Sequence, residues 1–231
     1  MIDIESTVLA VIPARGGSKG IPGKNLVPVH GRPLLGWTIE TVRKATEGLF
    51  LVVTTDDPAI AEYAISLGAL VVDRPAELAT DLSPTEPAVL HVLDALMPAS
   101  AFEAVMLLQA TSPVRRGDTI DRALAQFRSS QVDSLVGVVE VSPFVWRGPR
   151  DDARALYDVD ARPRRQDLVE ADLVYRECGS IYVTRTGPFR ATGNRICGRV
   201  GLVVLDSDEG IDIDTPYDLK HAEQVLASLN V

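Results

Sequence analysis

Residues 14–25 read ARGGSKGIPGKN: four glycines, the three cations Arg15, Lys19 and Lys24, and no acid, directly after the apolar run VLAVIP. Glycine lets a backbone approach a ligand closely and turns several N–H groups into one concavity, a cradle suited to phosphate oxygens. Two familiar phosphate loops are excluded. A Walker A loop needs a glycine five residues before its Gly-Lys pair and Ser or Thr after it, but those positions are Ser18 and Asn25, and no G-x-G-x-x-G occurs. A solvated turn is the plainer reading, yet such a turn has no need of three clustered cations.

The segment GIDIDTPYDL places Asp212 and Asp214 two residues apart, so in an extended strand both carboxylates leave the same face. Such a pair can hold Mg²⁺ and leave coordination positions to water and to a substrate's phosphates. Alone, an edge strand with its polar face in water is the more ordinary reading; beside a phosphate loop the metal reading gains weight. LLQATSP brings Gln109, Thr111 and Ser112 to the carboxyl end of an apolar run, where open α/β sheets bind ligands, although turn and capping chemistry would use the same residues. RPAELATDLSPTE (74–86) offers Arg74, Asp81, Ser83 and Thr85, and reads equally as a helix-capping loop. A second local excess of positive charge lies at 162–176, with Arg162, Arg164, Arg165 and Arg176. His30, His91 and His221 are scattered singly, and no serine has a nucleophile-elbow context, so Ser-His-Asp hydrolysis has no support.

These groups need a scaffold, and the pattern supplies one. Apolar, β-branched runs at 7–13, 49–55, 69–73, 102–109 and 133–141 alternate with spacers at 33–46, 58–67, 85–98 and 117–129 that are long enough for crossover helices. Pro33, Pro58 and Pro87 sit near the spacer starts, where a missing N–H costs little. This βαβα rhythm predicts a doubly wound, mostly parallel α/β sheet. After Val141 it breaks, and residues 142–177 carry no sustained period, which reads as a β-rich inserted arm. The main domain, 1–141 plus 178–231, then resumes with strands at 179–184 and 200–206, a short strand at 211–214, and a closing helix with Thr215 as N-cap and Pro216 at its first position.

The bulk numbers narrow the class. A chain of 231 residues with a net charge of −9 is a poor ligand for a nucleic-acid polymer, whose affinity rests on many Lys/Arg–phosphate contacts. A small anion needs only local positive charge. No stretch approaches the roughly 20 apolar residues of a spanning helix, and the acidic N-terminus is unlike a secretory signal, so a cytoplasmic location away from membranes is expected. Cys178 and Cys197 lack metal-ligand spacing and read as free thiols.

In combination and in this order, IPARGGSKGIPGKN, GRPLLGWTIE, TTDD, RPAELATD, LLQATSPVR, RPRRQD, GSIYV and IDIDTPYDL resemble the N-acylneuraminate cytidylyltransferases, over about residues 8–223. The resemblance implies a Rossmann-like nucleotidyltransferase in which the anomeric hydroxyl of a nonulosonic acid attacks the α-phosphorus of CTP, with Mg²⁺ present, giving a CMP-sugar and pyrophosphate. It implies that Arg15, Ser18, Lys19 and Lys24 hold the triphosphate, with Ala14, Gly16 and Gly17 lending backbone to the nucleotide. Asn25, Arg74, Ser83 and Thr85 contact the cytidine or ribose; Thr85, Gln109 and Thr111, with Arg165, Arg176 and Cys178, line the acceptor site. Asp212 and Asp214 bind the metal, and Arg15, Lys24, Arg164 and Asp214 form the catalytic set. The arm mediates a homodimer or dimer of dimers and reaches the neighbouring site. The chain departs from the family at RECGSIY, where Cys178 replaces the usual asparagine; a thiol is a weak substitute for a carboxamide, which widens the acceptor to a related nonulosonic or other anionic acid. Two alternatives stay open: transfer of another nucleotide or to another acceptor, and a nucleotide-binding regulatory protein without turnover.

Overall fold

The structure, a computed structural model, describes residues 7–96 and 102–229. In chain order the elements are β1 (Thr7–Pro13), the two-residue strands β2 (Pro28–Val29) and β3 (Arg32–Pro33), α1 (Leu34–Lys44), β4 (Phe50–Thr55), α2 (Pro58–Ser66), β5 (Leu70–Asp73), α3 (Thr85–Ala95) and β6 (Phe102–Leu107). There follow α4 (Thr119–Ser129), β7 (Ser134–Val141), the short β8 (Trp146–Arg147) and β9 (Arg154–Ala155), β10 (Val174–Arg185), α5 (Thr186–Thr192), β11 (Val200–Leu205) and α6 (Pro216–Ser228). Seven strands form one sheet in the order β11-β7-β10-β6-β1-β4-β5, with β1 parallel to both β4 and β6. Only β10 runs against its neighbours β6 and β7, so the sheet is mostly parallel with helices on both faces.

β1 shows why near-continuous apolar runs make such a strand. Val8, Ala10 and Ile12 join the core under α1, α2 and α4, while Leu9 and Val11 join the core under α3 and α5. Both faces are buried, so alternation of polar and apolar residues is absent. A third cluster bears directly on function: Ile21 and Val29 from the glycine-rich segment, Trp37 of α1, Ile211, Ile213, and Ala222 and Leu226 of α6 pack together. It docks the loop after β1 onto the segment before α6. The β2–β3 hairpin turns on His30 and Gly31, at φ 47° and 78°, the two positive φ values that a two-residue hairpin turn of this hand requires.

The four crossover helices fall within the expected spacers; α3 ends at Ala95, and residues 97–98 of that spacer lie outside the described residues. Asp57 caps α2 through the N–H groups of Ala59 and Ile60, with Pro58 at the first helical position, and Thr215 caps α6 as anticipated. Three details differ. Residues 211–214 form no strand: Ile213 donates its N–H to Thr111 O at 2.8 Å and accepts from Lys24 Nζ, which holds them extended, and burial still alternates through Ile211 and Ile213. β10 starts at Val174, inside the expected arm, with an irregularity between Glu177 and Tyr182 where register shifts. Between 142 and 173 regular structure is limited to the β8–β9 hairpin and two single 3₁₀ turns, so this stretch is less β-rich than expected, held by Tyr157 edge-on to Phe144 and Trp146, with Arg162 over Phe144. No helix among the described residues is long and apolar enough to cross a membrane.

Candidate active site

At the carboxyl ends of β1, β5 and β6 the loops enclose a cleft of about 200 Å³. One wall is Arg15, Gly17, Ser18, Lys24 and Asn25; the opposite wall is Arg74, Thr80, Ser83 and Thr85; Gln109 and Thr111 close one end. Segments far apart in sequence thus meet where an open α/β sheet has its crevice.

The loop is pinned on both sides. Asn25 is buried and donates Nδ2 to the Arg15 carbonyl at 2.9 Å, closing the loop on itself, so part of its amide serves the fold. Gly16 donates its N–H to Asp56 Oδ1 at 3.0 Å, and a Cβ there would fall 2.6 Å from Asp57 Oδ2. Gly20 packs so closely on the C-terminal segment that a Cβ would lie 2.4 Å from the Asp214 carbonyl oxygen. Lys24 follows it across, donating Nζ to Ile213 O at 2.6 Å and to Asp214 Oδ1 at 3.1 Å.

The cations that looked uncompensated in sequence are paired. Asp81, from the loop after β5, accepts from Arg15 at 2.6 Å and from Lys19 at 3.0 Å, and these two donors, Lys19 foremost, hold its carboxyl below the usual range. Arg74 is buried, donates to the Thr54 carbonyl, and has its pKa pushed down to about 10 by burial, against the pull of Asp56. Ser83 bonds Thr80 at 2.6 Å and Glu77 O at 2.9 Å, shaping that wall.

The Gln109 end of the cleft packs against Gly179. A Cβ there would stand 1.8 Å from Gln109 Oε1 and 3.1 Å from Asp212 Oδ1, so a bare backbone at this point lets the carboxamide and the carboxylate converge. Asp212 accepts from Ser112 Oγ through Oδ1 and from Gly179 N through Oδ2 at 3.4 Å. Its carboxylate is held in place, yet each oxygen retains a lone pair. Asp214 is largely exposed, tied only on one side to Lys24. Among the described residues no group of three or more His, Cys, Asp or Glu gathers to cage a metal. Asp212 and Asp214 are the carboxylates here that could contribute to a magnesium site, an ion held through one or two carboxylates together with substrate phosphates.

Other expected site residues lie elsewhere. Arg164 forks onto Asp167 within the arm, at 2.5 and 3.1 Å, and neither it nor Arg165 lines the cleft. Arg176 donates to Gly210 O at 3.0 Å, bracing the segment that leads to Asp212. Cys178 packs in the core with its thiol on Gly137 O, burial raises its pKa, and it does not line the cleft. Two residues beyond the sequence reading support the site. Glu209, fully buried, accepts from Arg116 N at 2.9 Å, Thr119 Oγ1 and Asp206 N at 3.1 Å, fixing the turn before Ile211. Arg115, also buried, bonds the backbone of Gln109 and Ser180. Each belongs to a stretch that reads as ordinary loop, and an arginine directly after a buried Val114 is the one local hint.

The chain is similar over most of its length to several characterised proteins. It is 32% identical over 228 residues, 95% of this chain and 96% of the relative, to the CMP-N,N'-diacetyllegionaminic acid synthase of Legionella pneumophila. It is 29% identical over 230 residues to the pseudaminic acid cytidylyltransferase of Campylobacter jejuni, covering 96% of this chain and 97% of that one. Against the N-acylneuraminate cytidylyltransferase of Escherichia coli the identity is 31% over 98% of this chain, which spans about half, 54%, of that longer protein. In fold it matches a CMP:2-keto-3-deoxy-manno-octonic acid synthetase complexed with CTP, with a TM-score of 0.73 over 96% of this chain and 99% of the other at 18% identity. Residues 9–157, more than half of the chain, match the cytidylyltransferase family, and with the ~30% identity of the full-length relatives this places the chain as a member of that family.

Proposed function

We propose that the protein transfers CMP from CTP to the anomeric hydroxyl of a nonulosonic acid of the sialic type, releasing pyrophosphate. The observation that carries this is the cleft itself: a glycine loop with Arg15 and Lys24 on one wall, Arg74, Ser83 and Thr85 on the other, and the Gln109–Gly179–Asp212 convergence at the end. The relatives matched over their full length act by name on legionaminic and pseudaminic acid, and the longer Escherichia coli relative on N-acylneuraminate, which supports this acceptor class.

Phosphoryl-type transfer asks little covalent chemistry of a protein; positioning and neutralisation of developing charge supply most of the acceleration. In this reading the backbone of Ala14, Gly16 and Gly17, with Ser18, cradles the triphosphate, while Arg15, Lys19 and Lys24 meet its charge. Binding exchanges the Asp81 carboxylate for phosphate oxygens on Arg15 and Lys19. Arg74, Ser83 and Thr85 contact the nucleoside, Gln109 and Thr111 the sugar acid. Asp212 and Asp214 would hold Mg²⁺, which would supply positive charge against the negative charge that builds on the phosphates. The described cleft lining has no histidine or carboxylate, so the acceptor's proton falls to a carboxylate at its margin, and Asp214, already on Lys24, is the proposed base.

Two copies assemble through the arm, as a dimer or a dimer of dimers. Exposed Trp146, Leu156, Val159 and Val169 on that segment support this, and Arg164 and Arg165 would then serve the neighbouring site. CTP as co-substrate and two unpaired thiols support a cytoplasmic location. Pyrophosphate release, measured with CTP, UTP, ATP or GTP against legionaminic-, pseudaminic- and neuraminic-type acids, tests the activity. Release requiring CTP, Mg²⁺ and one acid together is the expected outcome. Binding of CTP without release for any acid would instead support a regulatory protein.

A further inference from the structure

We propose that Arg115 is a positioning residue for the acceptor end of the cleft, fixing the backbone from which Gln109 and Gly179 present their groups. Its guanidinium is buried and spends itself on three neutral oxygens. Nε and Nη2 donate to Ser180 O at 3.0 and 2.7 Å, Nη2 to Gln109 O at 3.0 Å, and Nη1 to Thr38 Oγ1 at 2.9 Å. Those carbonyls belong to Gln109 itself and to the residue after Gly179. The two strands are further tied by Gln109 N to Gly179 O at 3.2 Å.

A lysine could not reproduce this arrangement, because its single ammonium cannot span two carbonyls on adjacent strands and a hydroxyl on α1 in one plane. Burial lowers the Arg115 pKa to about 10, still well above neutrality, so the guanidinium stays charged, with Glu209 and Asp212 supplying the opposing negative charge. Arg115 does not itself line the cleft, so it acts through the backbone of Gln109 and of the Gly179–Ser180 segment and touches no substrate.

This rests on the cytidylyl-transfer reading for its kinetic readout, and the test separates the two. In the full-length protein, Arg115→Lys is expected to raise the KM for the acceptor acid about tenfold while the calorimetric Kd for CTP moves less than about twofold. Thr38→Val removes the one side-chain acceptor without touching the cleft, and should shift the same parameter in the same direction by roughly threefold. In ¹⁵N-labelled protein, the Gln109 carboxamide resonances should move in both variants while the amides of Gly16 and Gly17 stay, whether or not the wild type turns over. Equal effects on CTP and acceptor, or an unmoved Gln109 carboxamide, would overturn the proposal. If Arg115→Lys fails to fold, Thr38→Val decides it by the same two readouts. Absence of turnover in the wild type defeats the functional reading and leaves the resonance test of Arg115 standing.

Discussion

Replacing Gly179 by alanine separates folding from acceptor binding. The added methyl would lie 1.8 Å from Gln109 Oε1, where ordinary contact begins at 3.4 Å, so the carboxamide must retreat by more than an ångström. Nothing prevents that retreat, because the clashing atom is the far end of a flexible side chain; the next neighbour, Asp212 Oδ1 at 3.1 Å, needs to give only slightly. The backbone of Gly179 needs no left-handed conformation. Displacing Gln109 into a poorer rotamer costs about 0.5–1.5 kcal/mol, and the stiffer unfolded chain returns about 0.4–1 kcal/mol, so net stability changes little. For a chain of this size that means a Tm within about 3 °C of wild type. Catalysis fares differently: a misplacement of about 1 Å can cost 10²-fold, or roughly 2.7 kcal/mol. Steady-state kinetics should therefore show acceptor kcat/KM down about 100-fold with KM for CTP within about threefold. Unchanged acceptor kinetics would refute the role of Gln109, and a large fall in Tm would refute the claim that the site, and not the fold, needs this glycine.

Gly20→Ala makes the opposite case, since its Cβ would meet the Asp214 carbonyl oxygen at 2.4 Å and backbone cannot retreat cheaply; a loss of about 1–3 kcal/mol by urea unfolding and weaker CTP binding by calorimetry are expected. Asp212→Asn should leave the Kd for CTP within a few-fold and cut turnover by about 100-fold or more; unchanged turnover would remove Asp212 from the metal site. Glu209→Ala strips the acceptor from Arg116 N, Thr119 Oγ1 and Asp206 N, and should cost about 3 kcal/mol, read as a lower urea midpoint with unchanged slope. The Asp218 carboxyl is held below its usual range by Thr215, so its contribution to stability is complete above an unfolded value of about 4 and is lost as pH falls through the lower folded value. Asp218→Asn should flatten that acid limb, seen in urea midpoints compared at about pH 5 and pH 3.

Much of the scaffold was legible because its information is local. Runs such as LFLVVTT and TVLAVIP are apolar on both faces only if both faces are covered, and proline or Asx and Thr caps mark where the helices begin. The reversal at β10 carries no such mark: YRECGSIYVTR is as apolar in an antiparallel strand as in a parallel one, and only the pairing with β6 and β7 reveals it. The extended segment at 211–214 alternates like a strand because Ile211 and Ile213 fill the third core cluster, yet Ile213 bonds to Thr111 and Lys24 and not along a sheet edge. Cys178 shows what the irregularity in β10 hides from sequence: beside Gly179, whose bare backbone admits the Gln109 carboxamide, its own side chain packs in the core with Ile181 and Val183.

The charges of the glycine loop mark the limit of local reading. Within residues 14–25 no acid answers Arg15, Lys19 or Lys24, and sequence alone presents them as free cations awaiting an anion. In the fold, Asp81 answers two of them from the loop after β5, and Asp214 answers the third from the segment before α6, contacts separated by more than sixty residues in every case. The three pairs differ in burial in a way that bears on function. The Lys24 side chain is only 13% exposed and also holds a backbone carbonyl, so it stays attached to the 211–214 segment and reports the position of Asp214. Lys19 is 77% exposed, and the Asp81 carboxylate it shares with Arg15 sits in water, where an ion pair contributes little. Asp81 therefore orients the two cations without holding them tightly, as the proposed exchange for phosphate oxygens requires. Lys24, by contrast, is anchored to the 211–214 segment by the Ile213 carbonyl as well as by Asp214.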